Sequence, residues 1–155
     1  MTPAIKLLKK QKCFYKIHKY EHDPECTNYG LEAVQKLGLD SKKVFKTLLV
    51  ELSSKALAVG IIPVDCTMSL KEIAKALKAK SAKMADKNEA QKTTGYLLGG
   101  ISPFGQKKRL KTVLDISALD HDTIFVSGGR RGLDIEVKPE DIVKLLGAVV
   151  FDIGV

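Results

Sequence analysis

The sequence predicts an α+β fold: a single domain whose mixed, partly antiparallel sheet curls toward a barrel with flanking helices. Three observations lead there. Apolar, β-branched runs are interspersed with capped helical stretches, and several strand pairs are separated by only a few residues. Connections that short join antiparallel neighbours and rule out a pure βαβ array. The chain has 155 residues, of which 45% are hydrophobic and 28% charged, enough to bury roughly two-thirds of the unfolded surface in one core. No internal repeat, low-complexity tract or Pro/Gly/Ser-rich linker divides it, so residues 1–155 are read as one domain.

The elements follow from local signals. Thr2 can cap a helix with Pro3 at its first position and Ala4, Ile5, Leu7 and Leu8 as an apolar stripe. CFYKIHKY (13–20) reads as a strand, and LEAVQKL (31–37) as a short helix closed by Gly38. FKTLLVEL (45–52) and ALAVGIIPV (56–64) flank the turn Ser53-Ser54-Lys55 and read as a buried strand pair. Ser69 and Glu72 form a capping box for a helix through Leu77; Asp86 and Glu89 repeat that spacing for another, ended by Gly95. After the glycine-rich stretch 95–105, strands are expected at 111–116, 123–127 and 133–137. In the last, Leu133, Ile135 and Val137 alternate with Asp134 and Glu136. Pro139 opens a final helix that Gly147 stops, before a terminal strand at 148–153.

Charge narrows the class. The net charge is +8, but residues 42–111 carry 15 Lys and Arg against 5 Asp and Glu, net +10, whereas residues 112–155 are net −4. A basic middle section suits a polyanion, because each neutralised phosphate releases counterions; a solubilising surface is the plainer alternative. Lys dominates, which fits diffuse phosphate contact better than bidentate base reading. With no Trp, a stacking platform is poorly supplied. Cys13, Cys26 and Cys66 are odd in number and far apart, so no disulfide framework is expected and a reducing cytoplasm is the compartment. No signal peptide or membrane-length apolar run is read, so no membrane partner is expected.

Few constellations announce chemistry. His18, His22 and Cys26 lie four apart, but on a strand running into a loop with Pro24, where that spacing promises no convergence; no metal site is expected. There is no G-x-S-x-G elbow, no Walker A ending, and no CxxC or HExxH. Cys66, after a buried strand, reads as a small apolar filler. Three features remain. Gly99-Gly100-Ile101-Ser102-Pro103 could present free backbone N–H groups to a developing oxyanion, or be an ordinary helix–strand loop. Ser127-Gly128-Gly129-Arg130-Arg131-Gly132 could be a nest for a phosphate or an RNA 3′ end, or a hairpin turn with two solvated arginines. Lys46 interrupts an apolar strand; it either snorkels from a polar face or stands at a cleft floor to orient a substrate.

Taken together, FKTLLV with Lys46, GGISP at 99–103, GQKKRLKTVLD at 105–115 and SGGRRGLDIEV at 127–137 make the chain resemble the YbaK family, free-standing relatives of the editing domain inserted in bacterial prolyl-tRNA synthetases. The resemblance implies trans-editing: a deacylase that clears cysteine from Cys-tRNA(Pro), which the synthetase misforms because pocket fit separates cysteine and proline poorly. It implies Lys46 and Gly99 as the catalytic positions, with the Gly99–Pro103 loop over the reacting carbonyl. Tyr20, Tyr29, Ser127 and Asp134 would line the pocket or meet the terminal adenosine, with Gly128 beside them. Asp134 would take the substrate's amino group or Lys46 itself. The family proposal is that the cysteine thiol attacks its own ester to give a thiolactone, so no cofactor is expected. Expected partners are the 3′ end of aminoacylated tRNA(Pro) and prolyl-tRNA synthetase, not DNA. The competing readings are a non-catalytic tRNA- or synthetase-binding module of the same fold, and a hydrolase of a small aminoacyl ester.

Overall fold

The computed structural model describes all 155 residues. Helix α1 (Pro3–Lys10) begins where Thr2 accepts from the Ile5 N–H and buries Ala4, Ile5 and Leu8. Strand β1 (Tyr15–Lys19) leads to α2 (Tyr29–Leu37), which Asn28 caps by accepting from the Leu31 N–H. It starts two residues earlier than the sequence pattern suggests, because that cap lies in a loop without apolar periodicity. A 3₁₀ turn (Ser41–Lys43) then enters the hairpin of β2 (Phe45–Leu52) and β3 (Leu57–Pro63), in register from Phe45 opposite Pro63 to Glu51 opposite Leu57.

Helix α3 (Leu70–Ala76) follows its Ser69 cap. Strand β4 (Ala82–Met84), unanticipated, pairs with β2 at the sheet edge; three residues are too few to show a period of two. Helix α4 (Lys87–Thr94) begins at the Asp86 cap. Strand β5 (Lys111–Asp115), a 3₁₀ turn (Ile116–Asp120), β6 (Ile124–Arg130), β7 (Leu133–Val137), α5 (Pro139–Leu146) and β8 (Val149–Phe151) complete the chain. β6 runs three residues past the sequence reading through a bulge between Ser127 and Arg130. β8 is shorter than the apolar run, because the backbone bends for the Ile153 and Gly154 N–H groups to donate to buried Asp115.

The strands form two sheets, one ordered β4-β2-β3-β5-β8 and the other β1-β7-β6. The first is antiparallel across β4, β2 and β3 and parallel across β3, β5 and β8. It is covered on both faces, which is why β3 reads as a continuous apolar run. One face meets the second sheet and α1 in the main core, including Phe45, Leu49, Phe104 and Ile135; the other meets Ile73 of α3, with Val50, Ile62 and Val113. The sheets curl around the main core and touch through a single parallel bridge, Val44 to Phe125, without closing into a barrel. At that seam the chain leaves a cavity.

Candidate active site

The cavity encloses about 510 Å³. Residues 44–49 of β2 and its approach form one wall with Val64. Tyr20 and α2, through Tyr29, Gly30 and Ala33, form the second; Leu98, Gly99 and Ile101 form the third. Ser127 and Asp134 project from β6 and β7, where they lie directly opposite each other. Met84 at the end of β4, Ala85, and Lys87 and Ala90 of α4 complete the lining; Met84 and Lys87 are exposed and stand where the cavity opens to solvent, whereas Ala90 is buried.

The structure therefore brings Tyr20, Tyr29, Lys46, Gly99, Ile101, Ser127 and Asp134 to one space. Gly100, Ser102, Pro103 and Gly128 do not line it. Gly100 is buried against β6, where a Cβ would stand 2.6 Å from the Arg130 Cα. Ser102 is fully buried and accepts from the Phe104 N–H. Gly128 faces Leu133, and its carbonyl accepts from the Thr2 hydroxyl. These four shape the walls from behind.

Gly99 is the third residue of a turn in which the Gly100 N–H donates to the Leu97 carbonyl at 2.9 Å. Its φ of +81° is the left-handed value a type II turn requires there. The Tyr29 ring lies where a Gly99 side chain would be, with ring atoms 2.6 Å from the Cβ position. The N–H groups of Gly99 and Ile101 donate to nothing within the chain, so the loop offers unspent donors at the cavity wall.

Arg131, read from sequence either as part of a phosphate nest or as a solvated turn residue, pins this loop. Its Nε donates to the Leu98 carbonyl at 2.8 Å, and its guanidinium carbon lies 4.8 Å from the centroid of the Tyr29 ring. The hairpin turn, α2 and the Gly99 loop are thereby tied together. A cation–π contact and one hydrogen bond are each worth about 1 kcal/mol. Arg131→Ala is therefore expected to lower kcat about tenfold and to speed amide exchange at Gly99–Ile101, whereas Arg131→Lys, lacking the planar fork, recovers only part of the rate. Unchanged kcat in both variants would show the clamp to be idle.

Electrostatically the site is unusual in what it leaves unpaired. Lys46, half-buried opposite Ile62, makes no hydrogen bond or ion pair in the chain. Asp134, 7% exposed, has no hydrogen-bond partner for its carboxyl either, and the two form no ion pair with each other. Burial, with no cation offsetting it, pushes the Asp134 carboxyl up to about 7. Tyr20 is pushed up to about 12, first by burial and then by the charge of Asp134. The Thr47 hydroxyl is buried in the wall beside Lys46 with no partner.

The Asp134 shift has a signed consequence. The unfolded chain releases this proton near 3.8 and the folded chain near 7, so the folded state binds more protons between those values and stability falls as pH rises through that window. The penalty is absent below about pH 4 and complete above about pH 7, and amounts to a few kcal/mol at most. Asp134→Asn removes it. The variant is expected to match the parent in denaturant midpoint near pH 4 and to exceed it increasingly up to pH 8; equal midpoints at pH 8 would contradict the assignment.

Glu32, almost fully buried in α2, organises the loop behind Tyr29. Burial alone would raise its carboxyl, but bonds from His22 at 2.6 Å and from the Asp23 N–H at 2.8 Å outweigh it and hold it below the usual range. His18, for its part, bonds Glu136 at 3.2 Å. The two histidines thus serve separate carboxylates, and no group of three His, Cys, Asp or Glu side chains is arranged to hold a metal. All three cysteines are free and none lines the cavity. No helix is long and apolar enough to cross a membrane.

The sequence reading missed Thr47 and Lys87, and the clamping role of Arg131. Thr47 carried a signal, as a polar neighbour of Lys46 in an apolar strand. Lys87 carried none, because β4, which brings α4 to the mouth, was not legible.

Comparisons with known proteins converge on one family. Residues 23–145 match the model of the aminoacyl-tRNA editing domain. The chain is 34% identical over 145 residues, 93% of its length and 87% of the relative's, to EbsC of Enterococcus faecalis, by name a Cys-tRNA(Pro)/Cys-tRNA(Cys) deacylase. It superposes on the crystal structure of hypothetical protein APE2540 with TM-score 0.89 at 24% identity, covering 99% of each chain. A crystal structure assigned as a trans-editing enzyme for prolyl-tRNA synthetase matches with TM-score 0.82 at 20% identity, covering all of this chain and 98% of the other. At those identities the structural matches speak for the fold.

Proposed function

Because the chain belongs to the aminoacyl-tRNA editing domain family, and thus acts as an aminoacyl-tRNA deacylase, we propose that its substrate is Cys-tRNA(Pro) and that the thiol of the misattached cysteine performs the attack. One observation carries this reading. The cavity offers unspent N–H donors at Gly99 and Ile101 and a buried carboxyl at Asp134, yet contains neither a cysteine nor a histidine. A protein-borne nucleophile normally needs a base within hydrogen-bond reach, and none of the hydroxyls here, on Thr47, Ser127 and the two tyrosines, is hydrogen-bonded to a carboxylate or an imidazole: Ser127 accepts from the Gly129 N–H and Thr47 has no partner.

In this reading the protein supplies geometry and electrostatics. The cysteinyl ester enters with its carbonyl oxygen toward the Gly99 and Ile101 N–H groups. Asp134, ionised by the approach of a cation, takes the α-ammonium. Lys46 orients the aminoacyl group and the 3′-terminal ribose. The thiol loses its proton, and sulfur attacks the ester carbon. The negative charge that develops on the carbonyl oxygen is met by the N–H groups. The tetrahedral intermediate then collapses by breaking the bond to the ribose oxygen, which leaves with a proton as the free hydroxyl of tRNA, and cysteine departs as its cyclic thiolactone. Holding the thiol in attack geometry is worth several kcal/mol of barrier.

The tRNA body is not read by this pocket. A relative named for both Cys-tRNA(Pro) and Cys-tRNA(Cys) fits a reader of the 3′ end and the amino acid. Choice of tRNA(Pro) then falls to a bound prolyl-tRNA synthetase in the cytoplasm, the partner after which a structural neighbour is described. The test is deacylation of Cys-, Ala-, Ser- and Pro-tRNA(Pro) with product analysis. Selective loss of the cysteinyl ester with trapped thiolactone is expected. Equal cleavage of Ser-tRNA(Pro), or open-chain cysteine as the primary product, would overturn the thiol mechanism, and binding without cleavage would favour the non-catalytic module.

A further inference from the structure

The cavity wall holds two ammonium groups that no acid in the chain pairs, Lys46 and Lys87. An aminoacyl ester of adenosine carries no anion; its amino group is itself a cation. The first negative charge a 3′-aminoacylated RNA brings toward the cavity is the phosphodiester on the 5′ side of its terminal nucleoside. We propose that Lys87 binds that phosphodiester, so that the mouth formed by β4 and α4 is where the RNA backbone crosses into the site. The proposal rests on the tRNA-deacylase reading above and assigns it a subsite.

Several features single out Lys87. It is the first residue of α4, where a positive charge opposes the helix dipole and costs a few tenths of a kcal/mol, so helix stability does not explain its presence. The adjacent carboxylate, Asp86, is engaged with the Glu89 N–H at 3.1 Å and pairs with no lysine. One turn on, along the same helix face, Gln91 accepts from the Leu98 N–H at 2.9 Å. That bond fixes α4 against the Gly99 loop, and so fixes how far a phosphate on Lys87 lies from a carbonyl on Gly99. Two other cations are committed elsewhere: Lys83 pairs with Glu51 at 3.4 Å, and Arg131 holds Leu98 and Tyr29.

The experiment compares 3′-O-cysteinyl adenosine with its 5′-monophosphate, using the parent protein and Lys87→Gln. For the parent, the phosphate is expected to lower KM about tenfold, with kcat unchanged. In Lys87→Gln that advantage disappears, so that the two esters have equal KM. With tRNA, the variant's log affinity against log salt is expected to lose about 0.7 in slope, one single-strand phosphate contact. A phosphate advantage that survives in Lys87→Gln, or an equal loss on both esters, overturns the proposal. Binding of 5′-AMP and adenosine, which needs no turnover, separates the two readings. If the parent cleaves neither ester yet binds AMP more tightly than adenosine and Lys87→Gln does not, the deacylation mechanism fails and the phosphate subsite stands; if the parent binds both equally, the subsite fails.

Discussion

Gly99→Ala is expected to lower kcat about 100- to 1,000-fold, the loss typical of removing one oxyanion donor, while the protein stays folded. Two effects converge. The residue's φ of +81° is a conformation an alanine adopts only at a cost of about 1–2 kcal/mol. The new Cβ would also meet the Tyr29 ring at 2.6 Å, and a ring in contact with the Arg131 guanidinium does not swing away freely. The loop must shift, and its free N–H groups with it. Gly38→Ala is the matched control: φ is +63° there, with nothing within 4 Å of the added carbon. It should lose similar stability and keep full activity. If Gly99→Ala keeps a parental kcat, the loop does not bind the developing anion.

Lys46→Ala is expected to lower kcat/KM by about 100-fold or more, as the loss of one preorganised charge at a reacting centre does, and to leave the melting temperature unchanged or raised. A half-buried ammonium in an apolar strand, with no acid beside it, contributes little to the fold and costs desolvation. Such opposition of activity and stability marks a residue retained for function. Lys46→Ala with near-parental deacylation would remove Lys46 from the mechanism; a sharply lower melting temperature would make it a structural residue.

Much of the fold was legible because its signals are local. Thr2, Ser69 and Asp86 cap the helices expected of them, since a side-chain oxygen three residues ahead of a free N–H needs no tertiary context. The β2–β3 hairpin was legible because β3 is apolar throughout, β2 is largely so, and the turn between them is polar. Strand β4 was not, because three residues pair only where β2 offers an edge. At 127–132 the sequence did not show the bulge, which extends β6 through Arg130 and sets Arg131 against Tyr29.

Within the site the same division holds. Lys46 was conspicuous as a charge in an apolar strand, and Gly99 as part of a glycine pair before Ile-Ser-Pro. Gly100 shares that motif, but its missing side chain admits the β6 backbone and leaves the cavity untouched. A sequence shows that a glycine is present, not which neighbour needs the space.

The sequence by itself determined the α+β character, the helix starts, the concentration of basic residues in the middle of the chain and the family resemblance, because each is carried by neighbouring residues or by motif order along the chain. Only the tertiary structure decided that Asp134 lies buried and unpaired with Lys46 in the cavity the resemblance implied for both, and that Lys87 joins its lining. The reason is physical: desolvation of a carboxyl and the position of a charge depend on which strands the two sheets bring to their seam, and no local pattern encodes that seam.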